Sequence, residues 1–175
     1  MSDYGEAAGQ GSVRFRRRLP GPIERVWEHL TDSKLRSTWF AAGDMELRAG
    51  GRLDYVFHNS EFTAPGEVVP ERYRKEEGYR FTGTVTRCEP PRVLAWTWDG
   101  SEVTFELDPA GDEVLLTLTH VRLASRKERV DVCAGWHVHL DLLRERLRGT
   151  TPRHFWRDVD RYEREYDARV PSERP

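Results

Sequence analysis

The sequence predicts an α+β fold in which a curved antiparallel sheet wraps around one long helix near the C-terminus. Three observations carry this. A first strand is followed by two short helical patterns; a long run of strands of alternating polarity comes next; and the period turns helical for good only from Lys127. One apolar sheet face and one apolar helix stripe must bury each other, and a twisted sheet around a single helix does so. With 175 residues the chain fits one domain with an appendage. Residues 13–149 are expected to form it, with 1–12 a flexible tail and 150–175 an appended helix.

The elements follow in order. Val13 to Leu19 alternates as a strand and ends at Pro20-Gly21-Pro22. Pro22 suits a first helical turn, and Ile23, Val26, Trp27 and Leu30 then mark a short amphipathic helix. Asp32 is placed to cap a second short helix through Lys34 and Leu35 towards Trp39. Asp44 to Leu47 and Arg52 to Phe57 read as strands around Gly50-Gly51. The stretch from His58 to Gly78 lacks periodicity and is expected to be a mobile lid or rim. Strands resume with Tyr79-Phe81-Gly83-Val85, Leu94-Trp96-Trp98, Val103-Phe105-Leu107 and Val114-Leu116-Leu118-His120, separated by Pro90-Pro91, Asp99-Gly100 and Ala110-Gly111-Asp112. Trp136, Leu140, Leu143 and Leu147 stripe the long helix, which Gly149 ends. Phe155, Val159, Tyr162 and Tyr166 recur at helical spacing in the segment from Pro152 to Pro175.

Composition narrows the function classes. Charged residues make up 33% of the chain against about 25% in an average soluble domain, and 11% aromatics argue against disorder. The 28 basic residues nearly balance the 30 acidic ones, so a nucleic-acid partner is not expected. The one tight basic run, Arg14 and Arg16 to Arg18, interleaves with Val13 and Phe15; Arg14, Arg16 and Arg18 therefore fall on a solvated strand face. No apolar run is long enough for a membrane span, and the first residues carry no secretory pattern. Cys88 and Cys133 lack metal-like spacing and read as reduced thiols of a cytoplasmic protein.

Val26 to Phe40 (VWEHLTDSKLRSTWF), the Gly50-Gly51 turn, Cys88-Glu89-Pro90-Pro91 with Leu94-Ala95-Trp96-Thr97-Trp98, Leu118-Thr119-His120, and Gly135-Trp136 with Leu140 and Leu143 carry a resemblance. In that order they resemble the SRPBCC superfamily, also called START-like or helix-grip. The nearest branch is the one named after the activator of heat-shock-protein-90 ATPase. The resemblance covers about residues 13–149. It implies a seven-stranded sheet gripping the C-terminal helix, with a hydrophobic cavity between them that takes lipids, polyketides or other apolar molecules; some members are cyclases, others chaperone cofactors of the stress response. Eukaryotic activators carry an additional N-terminal chaperone-binding domain, which the twelve residues before Val13 do not supply.

The expected ligand-binding set is Trp39, Phe40, Tyr55, Phe57, Trp96, Trp98, Phe105, His120, Trp136, His139 and Leu140. Core packing alone accounts for most such aromatic residues. Trp96 and Trp98 on one strand face opposite Trp136 would also make an apolar wall for a ligand. His120 shares parity with the inward Leu116 and Leu118, so it is either a satisfied structural histidine or a ligand-orienting group. It is the only proton carrier expected if the protein were a cyclase-like enzyme. His137 and His139 point apart on a helix and make no metal site; neither metal nor cofactor is expected. Two uses remain open: a non-catalytic binder of a small apolar or lipid-like molecule, and an interaction module. The second would engage a protein partner, or a second copy, through Phe155, Val159, Tyr162 and Tyr166.

Overall fold

The computed structural model describes residues 2–150 and 154–171. The strands are β1 (Glu6–Ala7), β2 (Val13–Pro20), β3 (Arg52–Val56), β4 (Arg80–Glu89), β5 (Val93–Trp98), β6 (Ser101–Ala110) and β7 (Glu113–Val121). The helices are α1 (Ile23–Thr31), α2 (Ser33–Arg36), α3 (Arg126–Arg148) and α4 (Phe155–Arg169). The sheet is antiparallel throughout, in the order β1-β2-β7-β6-β5-β4-β3. It curves around α3, a helix-grip arrangement.

Local chemistry explains the element ends. Asp32 Oδ1 accepts from the backbone N–H groups of Lys34 and Leu35, both at 2.9 Å, and so starts α2. Ser125 caps α3 by accepting from Glu128 N at 3.1 Å, and Gly149 ends it in a left-handed conformation, φ 71°. Asp99-Gly100 turns β5 into β6 with both φ angles positive, 42° and 83°, as a tight hairpin requires.

The sheet's inner face is fully buried through Phe15, Leu19, Val103, Phe105, Leu116 and Leu118. From Trp136 to Leu143 every residue of α3 is buried, on all sides of the helix. One side meets the sheet; the other meets α4, whose Phe155, Trp156, Val159, Tyr162 and Tyr166 are buried.

Three expectations change, and segment 58–78 proves to hold local structure. The tail expected over 1–12 is tied down: β1 pairs with β2, and Tyr4 packs edge-on against His137 at 4.9 Å. The strand expected at Asp44 to Leu47 reduces to isolated bridges, Ala42 to Val56 and Met45 to Leu53, so β1 is the seventh strand. Gly43, at φ 113°, breaks the extended run between these two bridges, and a Cβ there would lie 1.9 Å from the Asp54 carbonyl. The segment 58–78 contains two single-turn 3-10 helices and buries Phe62 and Tyr73. Finally, the α4 stripe assigned to a partner is spent inside the chain: Phe155 is 2%, Val159 7%, Tyr162 5% and Tyr166 1% exposed. The start at Pro152 and the end at Pro175 lie outside the described residues.

Candidate functional site

Strand β5 turns Leu94, Trp96 and Trp98 towards α3, and the three meet different surroundings. Trp96 stacks on Phe105 at 5.4 Å and meets the Tyr55 edge at 5.8 Å, deep in the core. Trp98, at the end of the strand, stacks on Phe81 at 5.4 Å and meets Trp136 edge-on at 5.9 Å. Between that strand end and the first half of α3, sheet and helix separate. A cleft of about 570 Å³ opens there.

Six of the expected residues line this cleft: Phe40, Phe57, Trp98, His120, Trp136 and His139. Trp39, Tyr55, Trp96, Phe105 and Leu140 do not; they are buried behind it as packed core. Phe40 reaches the cleft because Arg36 organises the loop that carries it. The buried guanidinium donates to the carbonyls of Thr31 (3.0 Å), Ala41 (3.1 Å) and Gly43, and lies over the Tyr55 ring at 4.7 Å. Phe40 then stacks on Trp136 at 5.0 Å and meets the Phe57 edge at 5.1 Å.

Several lining residues escape the sequence reading: Asn59, Glu76, Tyr79, Asp99 and Ser101, and on α3 Glu128, Asp131, Val132 and Gly135. The helical ones carried a usable signal. Positions 128, 131, 132, 135, 136 and 139 fall on one face, so the Trp136 stripe extends towards the helix start. A Cβ built on Gly135 meets nothing within 4 Å. Glycine in a helix interior costs about 1 kcal/mol relative to alanine, and here it leaves the cleft open.

His120 is the polar hub of the wall. Trp136 Nε1–H donates to His120 Nδ1 at 3.1 Å, so the ring proton sits on Nε2, which donates to Ser101 Oγ at 2.7 Å. The Ser101 hydroxyl donates in turn to the Trp98 carbonyl. Burial pushes the His120 pKa down to about 4. His120 is therefore neutral with both nitrogens engaged, a poor proton carrier at neutral pH.

The two histidines of α3 diverge. His139 Nδ1 donates to the Trp39 carbonyl at 2.7 Å. The Tyr166 hydroxyl accepts from Gly5 N–H at 2.7 Å and is hydrogen-bonded to His137 Nδ1 at 2.9 Å. Among the described residues no group of three His, Cys, Asp or Glu side chains is placed to hold a metal ion. A second cleft, about 670 Å³, lies between α3, α4 and segment 58–78, and shares Asn59, Glu76, Asp131, Gly135 and His139 with the first.

A seven-stranded sheet closed on one helix over an aromatic cleft defines a START-like, SRPBCC protein. The family model for activator of Hsp90 ATPase homolog 1-like proteins matches residues 20–148, and the chain belongs to that family. The protein encoded by gene BPP1335 from Bordetella parapertussis, solved by NMR in solution, is 41% identical; the match covers 98% of this chain and 95% of that one, with a TM-score of 0.81. Crystalline CalU16 from Micromonospora echinospora is 30% identical over 92% of this chain and 89% of that one, with a TM-score of 0.65. A conserved protein of unknown function from Enterococcus faecalis, 18% identical with a TM-score of 0.65 over 94% of this chain and 90% of that one, shares the fold. No curated protein matches the chain. No helix among the described residues is long and apolar enough to cross a membrane.

Proposed function

We propose that the protein binds a small apolar molecule, without transforming it, in the cleft between the sheet and α3. The observation that carries this reading is the cleft itself. About 570 Å³ lies open against the rings of Phe40, Phe57, Trp98 and Trp136, within the usual range of ligand pockets. Aromatic walls hold apolar bodies by area and by offset or edge-on ring contact. The one plausible proton carrier, His120, is held neutral with both nitrogens committed, which favours binding over catalysis.

The test uses N-phenyl-1-naphthylamine, a neutral apolar dye. It is expected to gain fluorescence with the protein and to quench tryptophan emission. Trp98→Ala should weaken binding by about 1–3 kcal/mol, the value of a buried side chain of that size. Gly135→Leu should abolish binding while leaving the fold intact, because the added side chain enters open space. Dye binding that Gly135→Leu leaves untouched would move the site elsewhere; no binding at all would defeat the reading. Native mass spectrometry of freshly purified protein, followed by denaturing release, would identify a resident ligand.

A further inference from the structure

The polar groups of the cleft are one-sided in a way that the aromatic floor does not explain. Among the described residues the charged side chains that line it are Glu76, Asp99, Glu128 and Asp131, with no lysine or arginine; Arg72, Arg126, Lys127 and Arg164 line the adjoining second cleft instead. Lys127 stands nearby but is ion-paired with Asp131 from outside the wall. Partial burial, then the carboxylates of Glu163 and Asp131, raise the pKa of Glu76 above the ordinary carboxylate value, against the opposing pull of Arg72 and Lys127.

Hydrogen-bonding capacity points the same way. Four donors of the wall are spent within it: Trp136 N–H on His120, His120 N–H on Ser101, Ser101 O–H on the Trp98 carbonyl, and Tyr79 O–H on Asp99 at 3.3 Å. Acceptors are in surplus beside them. Asn59 is only 8% exposed, and its side-chain oxygen is buried without a hydrogen-bond partner. A buried acceptor left unpaired costs free energy that a donor on a ligand would recover. With Nδ1–H of His139 given to the Trp39 carbonyl, Nε2 of that ring is an acceptor as well.

We propose that the cleft takes an organic cation: an amine on an aromatic or comparable apolar body, its rings against Trp98 and Trp136 and its ammonium between Asn59 and the carboxylates of Glu76, Asp99 and Asp131. Aromatic faces favour a cation electrostatically, so floor and rim select the same ligand. The inference rests on the apolar-binding reading and adds the sign of the ligand's charge.

Three probes with one apolar body separate the two claims: 2-naphthylmethylammonium, 2-naphthylmethanol and 2-naphthoate, titrated by tryptophan quenching. The ammonium is expected to bind at least ten-fold more tightly than the alcohol, the carboxylate weakest of all. The triple variant Glu76→Gln, Asp99→Asn, Asp131→Asn should bring ammonium and alcohol to within about two-fold. All three positions are exposed, and asparagine tolerates the left-handed backbone at Asp99. Molar salt should narrow the preference of the native protein. Equal binding of alcohol and ammonium, or tighter binding of the carboxylate, would overturn the cation inference and leave apolar binding standing. Binding of none of the three would defeat both.

Discussion

Trp136 does two jobs at one position: it fills the space between helix and sheet, and its indole N–H fixes the tautomer of His120. Trp136→Ala should cost about 3–5 kcal/mol, measured by chemical denaturation, because it opens a cavity and orphans a buried ring nitrogen. A loss under about 1 kcal/mol would place the ring at the surface. Its burial is legible from the stripe it shares with Leu140 and Leu143. The tautomer is not, since it depends on Ser101, brought opposite Trp98 by the β5–β6 register. A pKa near 4 puts the titration of His120 well below the neutral range of an unperturbed histidine. Apolar-probe affinity should therefore show no His120 titration between about pH 6 and 8. Arg17 shows a different limit. Its inward parity with Val13, Phe15 and Leu19 stands plainly in the sequence, yet arginine reads as surface. It is fully buried, with Nε 3.9 Å from both Asp3 and Asp141. Asp141 also accepts from Tyr162 at 2.8 Å and from Arg144 at 3.0 Å. Asp141→Ala should cost about 3–5 kcal/mol by leaving buried Arg17 only the half-exposed Asp3 and by taking an acceptor from Tyr162 and Arg144; a change below about 1 kcal/mol in urea denaturation would mean that water reaches the cluster.

At the scale of elements, α4 and segment 58–78 form one unit, which the sequence treats as two unrelated appendages. Tyr73 stacks on Trp156 at 5.0 Å, Phe62 meets Phe155 at 5.8 Å, and Arg72 pairs with Glu163 at 2.9 Å. Periodicity identifies α4 as amphipathic. It cannot say what covers the apolar face, because the covering residues sit in a stretch with no period of its own. Local opening follows the density of buried contacts, so the two segments should exchange amide hydrogens together. Trp156→Ala is expected to speed exchange in residues 58–78 as well as in α4, while Val103 to Leu107 in the centre of the sheet stays protected. Faster exchange in α4 alone would mean that the stacked rings transmit nothing. Since segment 58–78 also supplies Asn59 and Glu76 to the cleft, the same variant should loosen ligand binding from a distance.

Across the whole molecule, three histidines are buried in one layer between sheet and α4, and together they set the response to acid. Burial lowers His120 to about 4 and His139 to about 4; burial, with Arg17 beside it, lowers His137 to about 3, all from 6.5. The sign follows from where protons bind. Below pH 6.5 the unfolded chain takes up protons that the folded state refuses, so the stabilisation from these rings is complete above about pH 6.5. It is lost progressively as pH falls towards 4, and each ring contributes up to about 1.4 kcal/mol per pH unit within that window. The expected result is a urea midpoint that is flat from pH 8 to about 7 and falls steeply from 6 to 4, with a slope approaching three protons. His137→Gln should lower the slope by one proton, since glutamine carries an amide that can still hydrogen-bond the Tyr166 hydroxyl but does not titrate. A midpoint unchanged between pH 7 and 5 would show that these rings take up protons without unfolding, and that the layer between sheet and α4 is open to water.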